Sequence, residues 1–119
     1  MIASDVFAVV RDWLQDPLVG DDGTRYLNAS LLRGLNQGII ELYGRQPDCV
    51  LENDDTVLVA DRPASVQATD NEFGVNSKYL VPLAHAVCAH VYNLDTDEHI
   101  ANAQGLAASH RKEFLQAIQ

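Results

Sequence analysis

The sequence predicts a mainly α fold: a small four-helix bundle with a long central loop or a short β-hairpin between the second and third helices. Two observations carry this. Apolar residues recur at three- and four-residue spacing in four separate stretches, the signature of helices with one buried face. Between them lie segments rich in Pro, Gly, Asn and Asp, which interrupt helix. The length of 119 residues and a hydrophobic content of 47% set the scale, one domain spanning 1–119 with one modest core.

Helix one is predicted over 5–16. Ser4 is placed to cap it, Asp5 suits its positive end, and Val6, Val9, Val10, Trp13 and Leu14 form its stripe. Pro17 disfavours helix at Asp16. Pro17 to Thr24 reads as a solvated turn, because Asp21, Asp22 and Gly23 lack EF-hand spacing and the closing Glu. Helix two, predicted over 29–45, has the clearest period. Leu31, Leu35, Ile39, Leu42 and Tyr43 repeat, and Leu32 and Ile40 widen the stripe. Asn28 or Ser30 is expected to cap it, and Gly44 and Pro47 to end it. Gly34 and Gly38, four apart inside this helix, each cost about 1 kcal/mol relative to Ala. They either admit another helix closely or leave the packing loose.

Residues 48–78 are predicted as loop or hairpin. β-branched residues flank Asn53-Asp54-Asp55, a hairpin pattern, and Arg62-Pro63 ends it. Ala64 to Ser77 has no sustained period. Phe73 and Val75 are its expected anchors, and a connection of this length also suits an arm that orders on a partner. Helix three is predicted over 82–94, with Leu83, Val87, Cys88, Val91 and Leu94 inward. Asp95 and Glu98 resemble a capping box before helix four, predicted over 97–117. Ile100, Ala103, Ala107, Phe114 and Ile118 share its buried face, with Leu106 and Leu115 beside it. The short link makes helices three and four an antiparallel hairpin.

Charge narrows the function. Eight Lys and Arg face 17 Asp and Glu, for a net charge of −9. No basic patch is present to hold phosphates, which disfavours a sequence-reading DNA-binding protein. Cys49 and Cys88 stand alone and are expected as free thiols of a reducing compartment. The first residues, MIASDVFAVVRDWL, are too short and too charged for a signal peptide or membrane span. His85, Cys88 and His90 lie close in sequence, yet His90 faces elsewhere and four zinc ligands are not assembled. His99 and His110 share a side but stand over about 16 Å apart along the helix. A Cys88–His85 nucleophile pair lacks an orienting third group and an oxyanion hole. No glycine loop for phosphates occurs. The expectation is a protein without catalytic, cofactor-binding or metal-binding residues.

Three segments resemble the small head-to-tail adaptor (connector) proteins of tailed bacteriophages. LLRGLNQGIIELYGRQPD offers the apolar pair Leu31-Leu32, Asn36, the stripe Ile39 to Tyr43, Arg45 and Pro47-Asp48. YLVPLAHAVCAHVYNLDTD resembles the family's third helix running into an acidic link. ANAQGLAASHRKEFLQAI resembles its Ala-rich last helix, closing with Phe114 to Ala117. The resemblance implies a structural virion protein, made in the host cytoplasm and assembled at the capsid neck. Its copies, usually about twelve, form a ring beneath the portal by heterologous contacts. Such a ring extends the channel for double-stranded DNA, its passing cargo, and docks a downstream tail or nozzle protein. Neither an enzymatic activity nor a membrane is implied. Arg111, Lys112, Phe114, Leu115 and Ile118 become the expected portal-docking residues. Glu52, Asp54, Asp55 and Phe73 become the expected inter-subunit or lumen loop. On this expectation, removal of 114–119 abolishes portal binding and leaves helices one to three folded. The alternative is an acidic regulatory or DNA-mimic module that binds a basic protein, which the charge suits equally.

Overall fold

The stretch Leu80–Leu94 carries no charged side chain, so no face of it is built for water. The computed structural model, which describes residues 1–20, 22–23, 25–52, 57–58, 65–94 and 103–119, makes it the central helix. Four α-helices are present among the described residues: α1 (Ala3–Leu14), α2 (Asn28–Arg45), α3 (Leu80–Leu94) and α4 (Ala103–Ala117). The protein is thus mainly helical, as the periodicity requires. Helices α1, α2 and α4 each pack chiefly on α3. Ala86, Val87, Cys88 and Ala89 are buried in succession, which only a helix covered all round allows.

Two short antiparallel hairpins and two single 3-10 turns, Pro47–Cys49 and Ser77–Tyr79, complete the described elements. β1 (Leu18–Val19) pairs with β2 (Asp22–Gly23), and β3 (Leu51–Glu52) pairs with β4 (Val57–Leu58), with Leu51 opposite Leu58. The second is the hairpin expected about Asn53-Asp54-Asp55, whose turn lies outside the described residues. So do Asp95 to Asn102, which include the expected capping box, Ile100, His99 and the start of helix four.

The glycine spacing in α2 has a definite use. A Cβ at Gly38 would lie 2.9 Å from the Cβ of Ala86, and one at Gly34 would lie 3.0 Å from the Cβ of His90. Both contacts are with atoms fixed to the α3 backbone. The two glycines therefore let α3 of the same chain approach closely. Packing by Leu31, Leu35, Ile39 and Leu42, all buried, outweighs their propensity cost.

Helix ends differ from expectation, each for a local reason. α1 begins at Ala3, so Ser4 lies inside it and Ile2 is the cap residue. The segment before it is fastened to the long loop: Ala3 N donates to Asn71 O (3.1 Å), and Phe73 N to Met1 O (2.8 Å). α1 stops at Leu14, because Gln15 takes the left-handed conformation (φ 51°) and Asp16 N returns to Arg11 O (3.1 Å). Leu27 is the cap residue of α2, without a side-chain cap. Asn28 is committed to Arg11, and Ser30 accepts from Arg33 Nη2 (3.4 Å). Gly44 lies within α2, which ends at Arg45 before Pro47. Leu94, expected inward, is 60% exposed as the last residue of α3.

The loop after the second hairpin is tied to the helices. Val66, Phe73 and Val75 are buried. Asn36 of α2 grips Val66 in both directions, accepting from its N–H (2.7 Å) and donating to its carbonyl (2.9 Å). Val75 forms a bridge with Val50, and Asn76 N donates to Cys49 O (2.8 Å). Residues 65–77 are thus folded on the monomer, which corrects their reading as an arm awaiting a partner.

One buried ion pair holds the α1–α2 connection. Arg11 Nη1 donates to Asp16 Oδ2 (2.8 Å) and to Tyr26 O (2.7 Å), and Nη2 donates to Asn28 Oδ1 (2.8 Å). Asp16 also accepts from the backbone N–H of Arg25 (3.0 Å) and Tyr26 (2.9 Å). A Cβ at Gly23 would collide with both partners, so only glycine fits there. Both ions are almost fully buried, and removing Asp16 leaves a buried guanidinium without that counter-charge.

Two predictions follow from this packing. Asp16→Ala is expected to cost about 3–5 kcal/mol in urea unfolding, the range for breaking a buried pair; a loss below about 1 kcal/mol contradicts the clamp. A Cβ at Gly44 meets nothing within 4 Å, so Gly44→Ala should stabilise by about 0.5–1 kcal/mol. Gly38→Val should instead destabilise by about 1–3 kcal/mol through overpacking. Equal effects of the two would refute the close α2–α3 approach.

Candidate functional site

The residues expected at the portal fall into two groups. Phe114 and Ile118 are fully buried in the common core, where α4 closes on α3. They are corrected from docking residues to core. Arg111 and Lys112 are exposed, and Leu115 is half-buried against the core. Helical spacing explains the division: Phe114 and Ile118 are four apart on the inner face, while Arg111 and Lys112 precede them on the outer side.

Arg111 makes a two-pronged contact with Glu41 of α2, each Nη donating to a carboxylate oxygen at 2.6 Å. It spans a groove of about 400 Å³ whose floor is α3 and whose walls are α2 and α4. Farther along, Gln46 Nε2 donates to Ile118 O (3.1 Å) and Gln119 O (2.7 Å), which fastens the last turn of α4 to the end of α2. The Arg111–Glu41 pair is exposed and worth little alone, about 0–1 kcal/mol.

Of the expected lumen loop, Phe73 is 6% exposed and belongs to the monomer core, so it does not reach a neighbour. Glu52 lies on β3 beside Val57 of β4. Asp54 and Asp55 lie outside the described residues. These placements leave Arg111, Lys112 and Leu115 as the outward members of the expected docking set.

The histidines assemble in a way the spacing along one helix did not reveal. His85 of α3 and His110 of α4 meet Nδ1 to Nδ1 at 2.8 Å. Trp13 of α1 packs on both rings, with centroid distances of 4.5 and 5.7 Å, and Tyr92 stacks on His110 at 5.9 Å. Tyr26 meets Tyr92 edge-on at 6.4 Å. Burial lowers the pKa of both histidines below the ordinary 6.5; the neighbouring His85 lowers that of His110 further, and Glu113 partly opposes both shifts. A signal was present in the sequence. In an antiparallel pair, residues at similar distances from the link lie side by side, and His85 and His110 are nine before Leu94 and seven after Ala103.

This pairing takes His85 away from Cys88. Cys88 is fully buried, and burial pushes its thiol up to about 12; Cys49 is pushed up to about 11, again chiefly by burial. Both are free thiols, and neither is a thiolate at neutral pH. His90 packs against Gly34, apart from the pair. Among the described residues, no group of three or more His, Cys, Asp or Glu side chains is arranged to hold a metal. Nor is any helix among them long and apolar enough to cross a membrane.

No family model matches the chain, and neither a curated protein nor a solved structure matches it.

The two groups of C-terminal residues separate by mutation. Phe114→Ala is expected to destabilise by about 3–5 kcal/mol, the range for emptying an aromatic core site. Arg111→Ala should change stability by less than about 1 kcal/mol. Removal of 114–119 takes away both Phe114 and Ile118, so it should unfold the chain rather than release one contact. Full helical circular dichroism and an unaltered unfolding midpoint after that truncation would contradict the core assignment.

Proposed function

We propose that this chain is a structural subunit of the head-to-tail adaptor kind, a ring component seated beneath a portal at the capsid neck. In this role it extends the channel for double-stranded DNA and docks a tail or nozzle protein, with no chemistry of its own. The observation that carries the reading is the order of the three resembling segments, which fall on α2, α3 and α4, the helices sharing one core. An acidic chain of net charge −9 suits a wall along which DNA slides without adhering.

The surface offers material for contacts between copies. Leu18, Val19 and Leu27 near the first hairpin and Ile40 on α2 are each more than half exposed. A closed ring joins one face of a subunit to a different face of the next, so such patches need no self-complementarity. For the portal, Arg111, Lys112 and Leu115 remain of the expected docking set once the buried Phe114 and Ile118 are set aside.

Electron microscopy of the full chain mixed with the portal protein encoded in the same genome tests this reading. We expect a ring of added density below the portal, matching its symmetry. Arg111→Glu with Lys112→Glu, folded at wild-type stability, should lower ring occupancy. A bare portal at high protein concentration overturns the proposal. Capture of a basic protein by the same chain would then favour the acidic regulatory or DNA-mimic module.

A further inference from the structure

The contact between His85 and His110 is more than a packing detail, because it works only in certain protonation states. At 2.8 Å, one Nδ1 carries hydrogen and donates, and the other presents its lone pair and accepts. The two rings are 5.1 Å apart and are enclosed by Trp13 of α1 and Tyr92 of α3. Three helices therefore meet at one proton-dependent contact. Both histidines are half-buried, so solvent protons reach them.

We infer that the His85–His110 contact is a proton-operated latch that fastens Trp13 of α1 and the middle of α4 to α3 at neutral pH and releases them in mild acid. The inference is independent of any assembly with a portal.

The steps follow from the donor and acceptor inventory of imidazole. A first proton from solvent binds Nε2 of the donating ring. That ring becomes an imidazolium, its Nδ1–H still points at the neutral partner, and the contact survives as a charge-assisted hydrogen bond. A second proton has to take the accepting Nδ1. Both facing nitrogens then carry hydrogen, no acceptor remains, and two positive rings confront each other. The contact opens at this step. The protons leave and return in two steps that belong to the pair rather than to either ring.

The surrounding groups favour this order. From α4 the carboxylate of Glu113 acts on both rings and favours the first proton. From α3 the phenol of Tyr92, and from α1 the indole of Trp13, change no charge between pH 5 and 8. Arg11 of α1 is turned towards Asp16 and Tyr26 O, its charge matched there. Burial holds both histidines below the ordinary 6.5. A depressed histidine pKa in the folded state means that the unfolded chain binds protons more readily. The pair's contribution to stability is thus complete above pH 6.5 and is lost as pH falls through the lowered values.

Trp13 is the only tryptophan, so its emission reports on this site alone. The test is a titration of the full chain from pH 8 to 5, following the imidazole Cε1–H resonances by nuclear magnetic resonance and Trp13 emission in parallel. The expected result is coupled titration of His85 and His110 in two steps below 6.5, with a red shift of Trp13 emission accompanying the second. In His110→Gln, shown to be folded at pH 7.5 by circular dichroism, His85 should titrate in one step and the second-step red shift should vanish. If that variant does not fold, the wild-type titration decides alone. Independent one-step titrations near 6.5, or an unchanged Trp13 emission through both steps, overturn the latch.

Discussion

Burial of α3 is the constraint on which the rest of this structure depends. This helix of fifteen residues has no charged side chain and buries eight of its residues, from Leu83 to Tyr92, against its neighbours. Helices α1, α2 and α4 each do part of this, and they meet one another far less than they meet α3. The glycines of α2 are one consequence, since α3 approaches to the contact distance of its own Cβ atoms. The alanines of α4 are another: Ala103 and Ala107 are buried, and small side chains let that helix lie close. Phe114 and Ile118 then close the core at its end.

The segments between helices are held by polar groups as well as by buried apolar anchors such as Tyr26, Val66 and Phe73. Arg11 and Asp16 organise the first connection, and Asn36 and Asn71 fix the long loop through backbone partners. Buried or half-buried backbone groups need such partners, because an unpaired one costs free energy comparable to a lost hydrogen bond. The arrangement yields a chain in which residues 65–77 are folded on its own helices. In the ring proposed above, such a preorganised surface would lose less entropy on association.

Much of this was legible in the residues, and the division is physical. Four amphipathic periods located four helices, since period is set by each helix's own geometry. Phe73 and Val75 were recognisable anchors as isolated apolar residues in a polar loop. Helix ends were harder. Ser4, Asn28 and Gly44 have the chemistry of caps, but each lies inside a helix, where the fastened residues 1–3 and the reach of Arg11 override local preference. The Arg11–Asp16 clamp depends on Gln15 taking a left-handed turn, which no propensity of glutamine foretells. The His85–His110 pair depends on the register of α3 against α4, information held by two helices jointly. The period of the last helix already put Phe114 and Ile118 on its buried face; their docking role came from the resemblance alone, and their full burial makes them core.

Helix α3 is the hub of a chain whose core is complete without a partner. Native-state hydrogen exchange of the isolated chain tests it most directly. The slowest amides should lie in α3, near Val87 and Cys88, and exchange only through global unfolding. Measurable protection is also expected at Val66 and Asn76, whose N–H groups are bonded to Asn36 and Cys49. Faster exchange in α3 than in α1 and α4, or free-chain rates at Val66 and Asn76, would contradict it.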